Sequence, residues 1–269
     1  MTIPMRMRAI AARATALAAA SLLLIACGQR TAEVKVVSSG GLAAAFRELA
    51  PEFERSTGNK LAIAWGPSMG KTQNAIPVRL QRGEPIDVVI MVGYALDGLI
   101  KQGKVVPGSR VDLARSSIGM VVRRGAPKPD ISTVEAVKRA LLEARSIAYS
   151  DSASGVYVST EMFQRLGIAE QVKAKSRMIP AEPVAGVVAR GEAEIGFQQI
   201  SELLPVPGVD LVGPLPPELQ RITIFSAGVI AGSKVPDAAQ ALIEFLASPA
   251  AVPVMARSGL EPIASAAPK

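Results

Sequence analysis

Four short runs rich in small residues stand between apolar, β-branched stretches and helical patterns: Ser38-Ser39-Gly40-Gly41, Gly66-Pro67-Ser68-Met69-Gly70-Lys71-Thr72, Ser150-Asp151-Ser152-Ala153-Ser154-Gly155 and Pro180-Ala181-Glu182-Pro183-Val184. A loop that leaves a strand and opens a helix offers hydroxyls, bare glycine backbone and the unpaired N–H groups of a helix start, a donor set suited to an oxyanion. Each loop alone is also what helix capping asks of serine and glycine. Four of them, two from each half of the chain, become a site if they converge on one cleft, and convergence is the expectation here. Ser38, Ser39, Ser68, Ser152 and Ser154 are then the candidate hydroxyl donors, with Ala153 and Val184 as candidate backbone donors. Lys71 is the obvious cation of these loops, with a plain surface lysine as the competing reading; Arg79 follows a little over two helical turns later. Asp151 and Glu182 are candidate acceptors, although Asp151 also suits a turn, and Tyr94, at another strand end, lines either the cleft or the core. Gln198 and Gln199 offer amides at a further strand end, Gln199 being the candidate ligand contact.

Two kinds of chemistry are excluded early. A phosphate-binding loop needs glycine, four residues, then Gly-Lys-Ser/Thr, and Gly66 is followed by only three residues before Gly70-Lys71-Thr72. The chain has no histidine and one cysteine, which removes the usual general base and the usual metal ligands. A metal site would have to be made of carboxylates alone, and no such cluster is visible; neither a metal nor a cofactor is expected. The formal charge of +7 hints at nucleic acid, but Arg6, Arg8 and Arg13 belong to a segment read as removable, leaving 27 basic against 23 acidic residues, a net charge of +4. With few aromatics and scattered basic residues, no nucleic-acid stripe is present.

That segment is residues 1–27. Three arginines without an acidic neighbour precede an apolar stretch over 14–26 that ends in Leu24-Ile25-Ala26-Cys27-Gly28. The stretch is shorter than the roughly 20 residues a membrane span needs. It reads as a secretory signal, and Ala26-Cys27 resembles the lipobox of bacterial lipoproteins, which implies lipid at Cys27 and a periplasmic, membrane-anchored monomer. An ordinary signal peptide cut nearby is the alternative. One cysteine allows no internal disulfide, so about 240 residues must hold together by burial.

Stepping along the chain, strands at 34–37, 61–65 and 88–92 alternate with helices at 42–56, 72–82 and 95–102. A second series follows: strands at 118–122, 147–149, 176–179 and 194–198 with helices at 134–144, 156–166 and 184–189, then a Pro-rich passage over 205–217, an apolar run at 222–231 and helices at 236–247 and 250–258. Alternation of this kind predicts an α/β fold with parallel sheets covered on both faces. Leu42, Phe46, Leu49, Ala50 and Phe53 form one stripe of the first helix, Arg47, Glu48, Glu52 and Glu54 fall elsewhere, and Gly58 stops it. The phrases at 117–123 and 222–229 predict two hinge crossovers, placing 34–116 and 226–269 in lobe 1 and 117–225 in lobe 2.

The phrases Val34-Lys35-Val36-Val37-Ser38-Ser39, Gly83-Glu84-Pro85-Ile86-Asp87-Val88-Val89-Ile90, Leu99-Ile100-Lys101-Gln102-Gly103-Lys104 and Ala189-Arg190-Gly191-Glu192-Ala193-Glu194-Ile195-Gly196 resemble the periplasmic solute-binding family that includes the molybdate-binding component of ABC transporters. The resemblance covers nearly all of the chain after the signal segment. It implies a two-lobed type II periplasmic-binding-protein fold, a small oxyanion or organic carboxylate in the interlobe cleft, contacts from Ser39, Ser68, the Ala153–Ser154 turn and Val184, and an ABC permease as partner. Molybdate binders carry a tyrosine shortly after a Gly-Ile phrase, where this chain has Gly196-Phe197-Gln198-Gln199. That amide, together with Lys71, favours a larger carboxylate over a tetrahedral oxyanion. The phrases Gly66-Pro67-Ser68-Met69-Gly70 and Gln198-Gln199-Ile200-Ser201-Glu202 are similar to a branch of the family that includes periplasmic aconitate isomerase. Interconverting trans- and cis-aconitate would need a base, and Glu182, Asp151, Tyr94 and Lys71 are the candidates.

Overall fold

The structure, a computed structural model, describes residues 31–263. The signal segment and Cys27 lie outside the described residues. Within 31–263 no helix is long and apolar enough to cross a membrane.

The chain builds β1 (Glu33–Ser38), α1 (Ala43–Thr57) after a single 3-10 turn, β2 (Lys60–Trp65), α2 (Ile76–Gln81), β3 (Val88–Val92), α3 (Gly93–Lys101) and β4 (Val111–Ser116). It then crosses to β5 (Ile118–Arg123), α4 (Val134–Glu143), β6 (Ile147–Ser150), α5 (Ala153–Tyr157), a π-helical turn (Val158–Met162), α6 (Phe163–Arg165), α7 (Ala169–Lys173), β7 (Ser176–Ile179), α8 (Val184–Ala189), β8 (Ile195–Gln199), α9 (Ile200–Leu203) and β9 (Val209–Pro214). It returns through β10 (Thr223–Val229) to α10 (Pro236–Leu246), α11 (Val252–Arg257) and β11 (Glu261–Pro262).

Two sheets result, ordered β11-β4-β10-β3-β1-β2 and β7-β6-β8-β5-β9. In the first, β1 runs parallel to β2 and β3, while β10 is antiparallel to β3 and β4. In the second, β6 is parallel to β7 and β8, while β5 is antiparallel to β8 and β9. The sheets are therefore mixed and not wholly parallel. The reason is the crossover: a strand arriving from the other lobe needs no βαβ connection, so it enters in the opposite direction. β5 and β10 are the strands foreseen as crossovers, and each sits inside the sheet it enters.

Apolar cores cover both faces of each sheet. β3 is buried along its whole length, as a central strand of Val, Ile and Met must be. Helix α1 lays Phe46, Leu49 and Phe53, all fully buried, on the first sheet, and Gly58 at φ 75° ends it by donating its N–H to the Glu54 carbonyl at 3.0 Å. The C-terminal α10 returns to this core, with Phe245 against Phe53 at a centroid distance of 5.6 Å.

Strands β3 and β7 and helix α8 have the bounds expected from sequence. The helix foreseen from 72 starts only at Ile76, because Pro77 restricts the residue before it and suits only a first turn. The helix foreseen from 156 starts at Ala153. β4 was not foreseen, since Asp112 and Arg115 break its apolar pattern, and neither was β9, an edge strand hidden in the Pro-rich passage.

Candidate functional site

The strand-to-helix loops of the two lobes face each other across a cleft of about 270 Å³. Its walls differ in charge. On the first-lobe side Ser39, Trp65, Ser68 and Asn74 are joined by a single charged residue, Arg47; on the second-lobe side the charged residues are Asp151, Glu182 and Glu202.

The first wall is built from hydroxyls at strand ends. Ser39 is buried and its N–H is held by the Ile90 carbonyl at 2.8 Å, while its hydroxyl has no partner among the described residues. Ser68 Oγ accepts the Val92 N–H at 3.0 Å, which fixes the side chain and leaves its own O–H to donate. Arg47, one turn into α1, lies over the Trp65 ring at 4.8 Å and enters no ion pair among the described residues. Trp65 is in turn braced edge-on by Phe46 at 6.2 Å. Backbone access is kept by Gly66, where a Cβ would fall 1.8 Å from the Asn74 carbonyl oxygen.

The second wall begins where β6 meets α5. Gly155 packs so closely that a Cβ would lie 1.6 Å from the Ser150 carbonyl oxygen, which seats the helix start directly over the strand end. The Ser152 and Ser154 hydroxyls both approach Ser150 Oγ, at 3.2 and 3.0 Å. The first-turn N–H groups of α5 have no acceptor within the helix. Asp151 accepts the Ala181 N–H at 3.3 Å, and Ala181 has a left-handed φ of 60°, rare for a residue with a Cβ and a source of local strain. Glu182 pairs with Arg190 at 3.1 Å.

The floor of the second wall is the β8–α9 junction. Gln198 Oε1 accepts the Val184 N–H at 2.9 Å. Gln199 donates its amide to Thr223 Oγ1 at 2.7 Å, tying β8 to the returning crossover strand, and its Oε1 is buried without a partner among the described residues. Burial pushes the Glu202 carboxyl up to about 7; a hydrogen bond from Gln198 opposes the rise and the Asp151 charge adds to it. Two residues of the cleft wall, Ser39 and Gln199, carry buried polar atoms, Oγ and Oε1, that have no partner among the described residues.

Comparison with known proteins follows the same outline. Residues 34–261 match the family model described as bacterial extracellular solute-binding protein. The chain belongs to the bacterial extracellular solute-binding protein family. Within it, the chain is 53% identical over 248 residues to the aconitate isomerase of a Pseudomonas species, covering 92% of this chain and 94% of that protein. It is 29% identical over 252 residues to the molybdate-binding protein ModA of Azotobacter vinelandii, covering 88% of this chain and 92% of that one. The solved Azotobacter vinelandii periplasmic molybdate-binding protein superposes with a TM-score of 0.67 at 21% identity, covering 88% of this chain and all of that one. The fold is the two-lobed type II arrangement, and the chain is of the molybdate-binding-like kind that includes the aconitate isomerase branch.

Of the residues singled out from sequence, the solute-binding fold brings Ser39, Ser68, Asp151, Ser152, Ala153, Glu182, Gln198 and Gln199 to the cleft wall. It places the others elsewhere. Ser38 is buried beneath the wall and donates to the Ser39 carbonyl at 3.1 Å. Ser154 is buried behind Ser152. The Val184 N–H is spent on Gln198. Lys71 is exposed in the turns before α2 and is not part of the wall. Tyr94 is 62% exposed and outside the wall; partial burial raises the pKa of its phenol, with a lowering effect of Arg221 and a raising effect of Glu161 behind it. Arg47, Trp65, Asn74 and Glu202 were not foreseen as site residues. Glu202 stood in the phrase Gln198-Gln199-Ile200-Ser201-Glu202, but a four-residue helix has too little periodicity to show which way a side chain points.

Proposed function

We propose that this protein isomerises trans- and cis-aconitate in the interlobe cleft. The observation that carries the reading is the acidic second-lobe wall. A cleft built only to capture and release an anion gains nothing from unpaired carboxyls such as Asp151 and Glu202 along one side, because in their charged form they repel the ligand. A site that moves a proton between two carbons needs a carboxyl there, with a cation and hydroxyl donors opposite to hold the substrate carboxylates. Arg47, Ser39 and Ser68 supply that opposite wall, and Ser152, Ala153 and Gln199 complete the ligand contacts. The 53% identical aconitate isomerase supports the same conclusion. Incubating the purified protein with trans-aconitate and resolving the products by chromatography is the direct test. Appearance of cis-aconitate is expected, and its absence sinks the reading.

A second reading is capture of a small oxyanion or carboxylate for an ABC permease, favoured by the family to which the chain belongs. Calorimetric titration with molybdate, sulfate, citrate and the two aconitates separates the two: tight binding of an anion without turnover favours transport. Either role suits an exported protein, anchored by lipid at Cys27, with lobe 1 formed by 34–116 and 226–269 and lobe 2 by 117–225.

A further inference from the structure

We propose that Glu202 is the catalytic residue that takes a proton from the substrate methylene and returns it to the vinylic carbon, an assignment that rests on the isomerase reading above. The reason is placement. α9 packs against β5, β8, α1, α8 and the 3-10 turn at Gly40–Leu42, so its one carboxyl enters the cleft at the seam between lobes. Its Oε1 lies 2.1 Å from where a Cβ on Gly40 would stand, so this second-lobe carboxyl touches the first-lobe loop that carries Ser39. The other candidate bases are engaged or elsewhere. Glu182 is paired with Arg190, Asp151 holds the Ala181 N–H, and Tyr94 and Lys71 are exposed outside the wall.

The chemistry balances without a co-reactant. Aconitate is a propene bearing one carboxylate on each carbon. The Glu202 carboxylate removes a proton from the methylene carbon as that C–H bond breaks, and the electron pair delocalises through the double bond into the adjoining carboxylates. The same carboxyl then delivers the proton to the former vinylic carbon, where a new C–H bond forms, and the double bond moves by one position. The skeleton is again a propene tricarboxylate, now free to have the other geometry, and Glu202 is restored. Arg47 and the Ser39 and Ser68 hydroxyls face the charge that develops on the carboxylates. Such a group must pass between its charged and uncharged forms near neutral pH, and burial raises Glu202 in that direction, while Gln198 opposes the rise and Asp151 adds to it. The charged groups around it on the cleft wall are Arg47, Asp151 and Glu182.

The test compares wild type with Glu202→Gln and Glu202→Asp in the full chain, using trans-aconitate. A positioned acid–base group contributes about 10²–10⁴ in rate, so Glu202→Gln is expected to lower kcat at least about 100-fold while the calorimetric Kd for trans-aconitate changes less than about threefold. The wild-type kcat is expected to show an ionisation near neutral pH that Glu202→Gln lacks and Glu202→Asp retains at reduced rate. A Glu202→Gln enzyme within about tenfold of wild type, or one altered only in Kd, overturns the assignment while the isomerase reading stands. A wild-type protein that binds trans-aconitate without converting it overturns both.

Discussion

Arg47 is the cation of the cleft, yet it lies off the apolar stripe that Phe46, Leu49 and Phe53 define on α1, where sequence reasoning sees only a solvated charge. The stripe predicts correctly what α1 buries; it carries no information about what the opposite side of the helix meets. Lys71, by contrast, sits in a loop of suitable composition and points elsewhere, because the turns before Pro77 carry it away from the wall. Replacing Arg47 with Ala is expected to weaken trans-aconitate binding about 10- to 100-fold, in line with about 1.5–3 kcal/mol for a hydrogen bond to a charged group, measured by calorimetry. An unchanged Kd would remove Arg47 from the site. Glu202 makes a second prediction, about stability. Its pKa is raised from 4.5 to about 7 by folding, so the unfolded chain loses its proton first and the folded state binds more protons between those values. Stability from this group is therefore fully present below about pH 4.5, falls as pH rises through the window and stays lower above about 7. Glu202→Gln should raise the thermal midpoint at pH 8, through a stability gain of at most about 3.5 kcal/mol, and leave it unchanged at pH 4. Equal effects at both pH values would show that the carboxylate is not desolvated as described.

At the scale of elements, the junctions that matter are short and tightly seated. Gly155 lets α5 start over the end of β6, and Gly196 lets Val184 and Val188 of α8 lie on β8, where a Cβ would meet their methyls at 2.7 and 2.8 Å. The clash at Gly155 is with backbone, so it cannot be relieved by a rotamer. Gly155→Ala should displace the α5 start, lower the thermal midpoint through about 1–3 kcal/mol of overpacking, and weaken ligand binding through Ser152 and Ala153. Wild-type affinity in that variant would mean that the β6–α5 junction does not set the site. The thread of predicted strands was legible where an apolar, β-branched run was uninterrupted, as in β3. It failed where the pattern was broken by charge, as in β4, or by proline, as in β9, since both strands take their pairing from neighbours far along the chain.

For the whole molecule, the chain passes between sheets twice, from β4 to β5 and from β9 to β10, and the lobes touch there through Ser116 and Ser201, whose hydroxyls stand 3.4 Å apart. Gln199 and Thr223 make a second bond close to the returning strand. Two connections near one edge of the cleft form a hinge, and a ligand that bridges Arg47 on one wall and Gln199 on the other favours closure. Small-angle scattering should show a smaller radius of gyration when trans-aconitate is added, and no change would place the ligand on one lobe only. Anchoring is checked at the same scale: Cys27→Ala should release the protein from the membrane fraction, and retention there would refute the lipid.

The α/β class, the succession of strands and helices and the serine-rich loops at strand ends were all present in the sequence, because burial imposes local periods and strand-to-helix turns demand particular small residues. Which of those loops share a cleft, and which charges stand across it, was decided only in three dimensions. Ser39 and Ser152 lie more than a hundred residues apart in the chain and meet because two crossovers turn the strand ends of two sheets toward each other. Glu202 becomes a candidate base by the same means: its carboxyl is an ordinary one until α9 presses it against Gly40 and takes water away from it.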